Sequence, residues 1–297
     1  MRDADAFSSL HPAVLFGYFV LIVGVNVVFM HPLVLGISFL GALAYAAYLV
    51  RWAGLRKLLP GLLIMMVIAA LFNPIFNHRG VTMLFYWNDN PITLEAIIYG
   101  GVAALMIGSV LLWFVSYNKV MTSDKFLCVF GHVVPALSLI FAMVLRFVPR
   151  YFAQAKRIAA AQRGIGRDVA SGSWYARARH GSAVLSIMLT WALENAVDTS
   201  DSMLARGYGL PGRTAYTDFK VRERDFMAAL ALGGSGLVVV VAIVAGVLHA
   251  EYFPAYAVGD WSVAAWLALG AWMLICAAPL LLGLREEAVW RSLRSNL

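Results

Sequence analysis

PAVLFGYFVLIVGVNVVFMHPLVLGISFLGALAYAAYLV occupies residues 12–50, and none of its 39 residues is Asp, Glu, Lys or Arg. A helix that spans a bilayer needs about 20 apolar residues, so this length predicts two spans with a tight turn at His31 and Pro32. The rest of the chain has the same character, since 62% of its 297 residues are hydrophobic and only 13% are charged. A soluble protein of this size needs more polar surface than that. The sequence therefore predicts a membrane protein.

Further apolar stretches extend this pattern. They cover residues 58–77, 97–119, 226–249 and 261–284. Together with residues 12–50 they predict an all-α, polytopic membrane protein with about six transmembrane helices. One more apolar stretch, residues 126–145, is long enough to be a seventh span.

The distribution of basic residues decides between six and seven spans. With six spans and the N-terminus inside, 22 of the 23 Lys and Arg residues lie on the cytoplasmic side, and only Arg79 lies outside. A seventh span would export the basic residues of 146–224, against the preference for basic residues inside. We therefore predict cytoplasmic termini, membrane parts at residues 1–118 and 226–297, and a cytoplasmic region at residues 119–225.

The predicted cytoplasmic region contains two helices that each end in arginine and glycine. The first continues from residues 126–145 as an amphipathic interfacial helix and ends at AQRGIG, where Gly164 and Gly166 can adopt the left-handed cap conformation. The second covers residues 183–205, after an arginine-rich linker, and ends at Arg206 and Gly207. Acidic residues on the second helix are expected to pair with an arginine stripe on the first. These are Glu194, Asp198 and Asp201 on one side and Arg146, Arg150 and Arg157 on the other.

Two interpretations of the arginine-glycine ends remain open on spacing alone. Glycine lets another protein approach the helix end closely, and arginine offers five donors in a fixed fork. A buried, paired arginine at such an interface is worth about 2 kcal/mol or more. Alternatively, each arginine only complements the negative end of its own helix, an effect of about 0.3 to 1 kcal/mol.

No motif indicates a cofactor, metal, nucleophile or nucleic-acid site. Residues 207–214 read GYGLPGRT and approach the phosphate-binding loop pattern, but Arg213 replaces its lysine and the motif follows a helix instead of a strand. Cys128 and Cys276 lie in separate apolar stretches without metal-ligand spacing, which predicts packing roles. We therefore predict that the chain carries out no catalysis of its own.

The sequence gives less support to two rival functions. A membrane-embedded enzyme, for instance a lipid-linked transferase, would use His78, Asp89 or Glu95 at the outer face, but these residues are too few for a converging catalytic set. A stand-alone secondary transporter would need ionisable residues near the bilayer midplane, and the predicted spans carry essentially none.

Three pieces of the sequence resemble the transmembrane T component of energy-coupling factor (ECF) importers, a class of ABC transporter. They are NPIFNHRG at residues 73–80, LRFVPRYFAQAKRIAAAQRGIG at 145–166 and TWALENAVDTSDSMLARGYGLPGRT at 190–214. The resemblance implies a multi-pass subunit of a bacterial or archaeal plasma membrane. It also implies coupling of two cytoplasmic ATP-binding subunits to a substrate-binding membrane protein, the S component, for uptake of a vitamin, metal ion or related micronutrient.

The resemblance also implies roles for particular residues at the helix ends. Each coupling helix of the family ends in an Ala-Arg-Gly-like motif that contacts an ATP-binding subunit, so Ala205, Arg206 and Gly207 are expected to form one contact. AQRGIGRD lacks this triplet, and Arg163 with Gly164 competes with Arg167 for the second contact. Alignment through the glutamine would place Ile165 at the arginine position. We favour Arg163, because it occupies the helix end as Arg206 does.

Two further contacts are expected, and only the first follows from the resemblance. The coupling helices are expected to pack on the S component through Leu139 and Met143. In the outer loop, Asn77, His78 and Arg79 are expected to cap the helix end and meet the lipid headgroups, with contact to a substrate or partner as the alternative.

Overall fold

Helices form most of the structure, a computed structural model that describes residues 6–77, 79–87, 90–131, 135–211, 219–259 and 261–295. A 3-10 turn (Phe7–Ser9) precedes α1 (Pro12–Val28), α2 (Pro32–Phe76), α3 (Leu94–Val120), α4 (Ser123–Gly131), α5 (Pro135–Gly164), α6 (Trp174–Ala205), α7 (Glu223–Val244) and α8 (Val263–Ser295). Two antiparallel hairpins pair β1 (Met83–Trp87) with β2 (Asn90–Thr93) and β3 (Ala250–Glu251) with β4 (Ala257–Val258). Phe85 pairs with Ile92 across the first hairpin.

Five helical segments of the described chain are long and apolar enough to cross a membrane. They are Pro32–Val50, Trp52–Phe76, Leu94–Val120, Glu223–Val244 and Val263–Arg294. The sixth predicted span corresponds to α1, whose 17 apolar residues reach about 26 Å, slightly less than the hydrocarbon core of a bilayer. The predicted polytopic, all-α membrane fold is thus confirmed.

Helix α2 contains two spans although its backbone is helical from end to end. A Cβ atom built on Gly108 would lie 3.0 Å from Cε2 of Phe39 and 2.7 Å from Sδ of Met66. These two residues would be about 40 Å apart in a straight helix. Since both reach the same glycine of α3, α2 must reverse direction between them, as the predicted inner loop requires.

The loops of the membrane helices gather at two ends. At one end, the Tyr252 hydroxyl donates to the Met30 carbonyl (2.5 Å), and the Val81 amide donates to the Pro254 carbonyl (3.2 Å). At the other end, Lys125 donates to the Ser8 carbonyl. This grouping agrees with an even number of spans and places the N-terminal segment beside the start of α4.

The membrane helices share a core that is rich in aromatic side chains. Phe7 packs edge-on against Tyr18 with ring centroids 4.9 Å apart, and Tyr18 packs edge-on against Trp113 at 5.9 Å. Ser38 joins α1 to α3, because its hydroxyl oxygen accepts from Asn26 Nδ2 at 2.8 Å and from Trp113 Nε1 at 2.9 Å. Such interhelical hydrogen bonds stabilise packing where lipid supplies no hydrophobic driving force.

The chain divides into two units, one formed by Met1–Val129 with Phe219–Leu297 and the other by Phe130–Asp218. We call the first the membrane unit and the second the coupling unit. The apolar stretch 126–145 is split between α4 and α5, and neither helix is among the candidate spans of the described residues. The expectation that the arginine-rich stretch GRDVASGSWYARARHG, residues 166–181, is a linker is wrong over its second half, because α6 already begins at Trp174, where the Ser173 hydroxyl accepts from the Ala176 amide.

Candidate functional site

The two long helices of the coupling unit meet at a cluster of aromatic side chains. Tyr151 of α5 packs edge-on against Trp191 of α6, with ring centroids 5.3 Å apart, and Phe147 stacks on Tyr151 at 5.8 Å. The Arg150 guanidinium carbon lies 5.6 Å from the centroid of the Trp191 ring, within the range of a cation–π interaction. These contacts join the two helices more than three turns before their C-terminal ends.

Both helices end in the same hydrogen-bonded cap, the Schellman motif. In α5, the Gly166 amide donates to Arg163 O (3.0 Å) and the Arg167 amide donates to Gln162 O (2.9 Å). In α6, the Gly207 amide donates to Leu204 O (2.9 Å) and the Tyr208 amide to Met203 O (3.0 Å). Gly166 and Gly207 both have a φ of +78°, a backbone conformation that L side chains rarely adopt.

The shared cap shows which residues of the two ends are equivalent. Because Gly166 corresponds to Gly207, the residue in the position of Arg206 is Ile165. The expectation that Arg163 occupies the helix end as Arg206 does is therefore wrong, since Arg163 lies two residues earlier, inside the last turn. Gly164 is also helical, so only Gly166 has the left-handed conformation.

Arg163 is paired within the coupling unit. Its Nε donates to Asp168 Oδ2 at 3.0 Å and its Nη2 to Asp168 Oδ1 at 3.3 Å, which closes the turn after α5. The Ala170 amide and the Arg163 guanidinium both donate to Asp168 and lower the pKa of this carboxyl. Arg206 differs, because it is exposed and forms no ion pair or side-chain hydrogen bond within the described part of the chain.

A groove of about 680 Å³ runs between the first half of α5 and the last half of α6. Its α5 side begins with the apolar residues Leu139, Ala142 and Met143, which we call the apolar wall, and its other side includes Arg206, Gly207 and Tyr208. The groove therefore brings together residues that the sequence assigned to two different partners. Leu139 and Met143 are half-buried, so part of each side chain remains accessible.

The charges around the groove are mostly positive. Arg146, Arg150 and Arg206 line it together with a single acid, Asp198. The predicted salt bridges between the acidic face of α6 and the arginine stripe of α5 are wrong, since none is formed among the described residues. The helices cross at Trp191, where Arg150 lies over the indole ring instead of reaching a carboxylate.

Asn195 is a polar residue of the groove that the sequence did not single out. Its side chain is only 9% exposed, and its Nδ2 atom has no hydrogen-bond partner among the described residues. A buried amide donor without an acceptor destabilises a free protein by about 1 to 3 kcal/mol. The sequence signal that could have identified Asn195 is its position one turn after Trp191, on the helix face that meets α5.

The loop between α2 and α3, predicted to lie on the outer side, is organised by hydrogen bonds to the chain itself. The Asn77 side chain accepts from the Arg79 amide (3.2 Å), and the buried Glu95 carboxylate accepts from the Thr82 amide (3.1 Å). The Thr93 hydroxyl donates to the Arg79 carbonyl at 3.0 Å. Glu95 thus holds the start of the first hairpin, while His78 and Asp89 lie outside the described residues.

No group of three His, Cys, Asp or Glu residues able to hold a metal ion occurs in the described ranges.

Comparison with known proteins gives a family match over most of the chain. Residues 9–216 match the family model CbiQ, described as cobalt transport protein. A relative from Lactobacillus helveticus, named energy-coupling factor transporter transmembrane protein EcfT, is 38% identical over 105 residues, which are 35% of this chain and 38% of that protein. The chain thus covers less than two thirds of the length of that relative.

Two longer matches carry the same name. The protein from Clostridium kluyveri is 27% identical over 192 residues, which are 61% of this chain and 71% of that protein. The protein from Staphylococcus aureus is 26% identical over 204 residues, which are 64% of this chain and 76% of that protein.

Proposed function

The chain belongs to the CbiQ cobalt transport protein family, and from this premise we propose that it is the transmembrane T component of an energy-coupling factor importer. In this role it transmits the closure of two cytoplasmic ATP-binding subunits to a membrane-embedded S component that carries the substrate. The observation that best supports this proposal is the family match, which covers both long helices of the coupling unit. The transported substrate is a vitamin, a metal ion or a related micronutrient, and the S component recognises it.

Arg206 is the proposed anchor for one ATP-binding subunit. Its guanidinium is exposed at the capped end of α6 and has no partner among the described residues, so it can form a forked contact with carboxylates or carbonyls. Ala205 and Gly207 add little side-chain bulk around it, so a partner surface can approach closely. The α5 end supplies the second anchor through Arg163 or Arg167, with Ile165 exposed between them.

The apolar wall of the groove is the proposed contact for the S component. Leu139 and Met143 lie on α5 next to exposed apolar side chains such as Ile140 and Val144. An apolar surface of this kind on an interfacial helix suits a partner that is itself a membrane protein. Because Arg206 lines the same groove, movement of an ATP-binding subunit at the α6 end is transmitted to the surface on which the S component packs.

Neither rival function has an observation that favours it. The enzyme would need Glu95 as a free acid or base, but this carboxylate is only 3% exposed and accepts from the Thr82 amide. The secondary transporter would need no other subunit, and it leaves the exposed arginine at the α6 end without a role.

Isolation of the tagged chain from native membranes tests the proposal. We expect two ATP-binding chains and one further membrane protein to be recovered with it, in the plasma membrane fraction. The double variant Arg206→Ala with Arg163→Ala should release the ATP-binding chains while the protein still inserts and folds. Recovery of the wild-type chain without any ATP-binding protein would refute the T-component function.

A paired substitution on α5 tests the S-component contact separately. Met143→Glu should weaken recovery of the S component and leave the ATP-binding chains bound, because it places a charge in the apolar wall of the groove. Ala153→Glu is the matched control, since Ala153 is exposed on the same helix but lies outside the groove and away from the apolar surface around Ile140. Loss of the ATP-binding chains with retention of the S component would contradict the assignment.

A further inference from the structure

The N-terminal segment is fixed by three charged side chains that surround residues 8–11. Lys125 Nζ donates to the Ser8 carbonyl at 2.5 Å, and Arg224 Nη2 donates to the Ser9 carbonyl at 2.9 Å. Asp225 Oδ1 accepts from the His11 amide at 3.3 Å. We call these contacts the N-terminal clasp.

The clasp is attached to the rigid core of the membrane unit. Phe7, directly before it, is fully buried and packs edge-on against Tyr18 and Tyr45, with ring centroids 4.9 and 6.0 Å away. Asp225 is only 2% exposed. A hydrogen bond to a charged group that is shielded from water is stronger than one between neutral groups, and breaking it costs more free energy.

The three charged residues come from the two places where the chain connects the units. The coupling unit begins at Phe130 and ends at Asp218, so it has two covalent connections to the membrane unit. Lys125 lies on α4, just before the first connection, and it also donates to the Val120 carbonyl at the end of α3 (2.8 Å). Arg224 and Asp225 lie in the first turn of α7, just after the second connection.

Asp225 also fixes the start of α7. Its Oδ2 accepts from the Arg222 amide at 2.9 Å, and its Oδ1 lies 3.8 Å from Arg224 Nε. One buried carboxylate therefore caps the helix that follows the coupling unit and binds the N-terminal segment. The clasp therefore holds both connections between the units against the same short N-terminal segment, residues 8–11.

We infer that Lys125, Arg224 and Asp225 are positioning residues for coupling: by tying both connections to one point of the core, they make movement of the coupling unit reach the membrane helices. This inference rests on the proposed T-component function. Without the clasp, the first turns of α4 and α7 would bend when the coupling unit is pushed, and part of the movement would be lost in the connections.

Distance measurement between spin labels tests this inference. The labels are placed at Ser186→Cys in the coupling unit and Leu237→Cys in the membrane unit, in a variant that lacks the two native cysteines, within the isolated complex. We expect wild-type contacts to give a narrow distance distribution that shifts on addition of Mg²⁺ and ATP. Lys125→Met and Arg224→Met should each broaden the distance distribution about twofold and reduce the shift on addition of Mg²⁺ and ATP. The double variant should behave like either single variant, because each substitution breaks the same clasp.

Two controls separate this role from simple loss of stability. Lys125→Arg keeps a donor and should restore the narrow distribution, and Lys119→Met removes an exposed lysine outside the clasp and should change nothing. Variants with the wild-type width and shift would overturn the inference, as would variants that no longer fold, since the clasp would then be only a stability element. Absence of ATP-binding chains from the wild-type complex would instead overturn the proposed function.

Discussion

Replacement of Arg206 separates a contact with a partner from a local effect on the helix end. In the free chain the side chain is exposed and has no ion pair among the described residues. Its removal should therefore lower the free energy of unfolding by no more than the helix-end effect, about 0.3 to 1 kcal/mol. A forked contact in an ATP-binding subunit should instead lose about 2 kcal/mol or more on truncation, which is about a 30-fold loss of affinity.

The lysine substitution makes this comparison sharper. Arg206→Lys keeps the positive charge that stabilises the α6 end but loses the planar fork. We expect the thermal unfolding temperature of Arg206→Lys to match the wild type, and its affinity for the ATP-binding subunits to fall at least about tenfold. The assay is titration of the detergent-solubilised chain with purified ATP-binding subunits, alongside thermal unfolding of the same samples.

The matched control is Arg157→Ala, which removes an exposed arginine of α5 that does not line the groove. Its affinity should stay within about twofold of the wild type, as expected for a surface substitution away from the interface. Wild-type affinity for both Arg206→Lys and Arg206→Ala would refute the reasoning and leave Arg206 as a helix-end cation alone.

Three further predictions concern topology, pH and the helix cap. A cysteine at Ser171, in a variant without the native cysteines, should react with an impermeant reagent only after the cells are permeabilised; labelling of intact cells would show that the coupling unit lies outside. The pKa of Asp168 is lowered by the amide of Ala170 and by Arg163, so its contribution to stability is present above its ordinary value of 3.8 and is lost as the pH falls through the lower folded value. Carbon NMR of that carboxyl should therefore show titration below 3.8, and titration at or above that value would contradict the contacts. Gly207→Val forces a β-branched residue into a φ of +78° and should destabilise the last turn of α6 by about 1 to 2 kcal/mol, seen as faster amide hydrogen exchange there, and unchanged exchange would argue against the cap.

The membrane helices could be predicted from the sequence because length and charge suffice for them. A spanning helix needs an uninterrupted apolar run, and the chain supplies such runs at the predicted places. The reversal within α2 was also predictable, since Arg56 and Lys57 interrupt the apolar pattern. Its helical backbone was not, because hydropathy carries no information on how a chain turns between two spans.

The helix ends show where sequence reasoning fails. AQRGIG contains two glycines, and either could take the left-handed cap conformation on composition alone. The choice of Gly166 depends on the hydrogen bond that the Arg167 amide donates to the Gln162 carbonyl, and only the folded structure shows this bond. That choice makes Ile165, the position that alignment through the glutamine indicated, the equivalent of Arg206 instead of Arg163.

Charge pairing between helices was equally hard to predict. The acidic face of α6 and the arginine stripe of α5 were both visible in the sequence, but their distance depends on where the helices cross. The crossing is set by aromatic packing of Tyr151 on Trp191, and Arg150 goes to the indole ring. Periodicity gives the faces of a helix but not its rotation against a neighbour.

The central claim is that one copy of this chain couples two ATP-binding subunits to one S component. Native mass spectrometry of the complex, released from the membrane in mild detergent, measures this directly. The account predicts a single assembly with one copy of this chain, two ATP-binding chains and one further membrane protein, and loss of the ATP-binding chains from the double variant Arg206→Ala with Arg163→Ala. A wild-type chain observed alone, or bound only to copies of itself, would contradict the account.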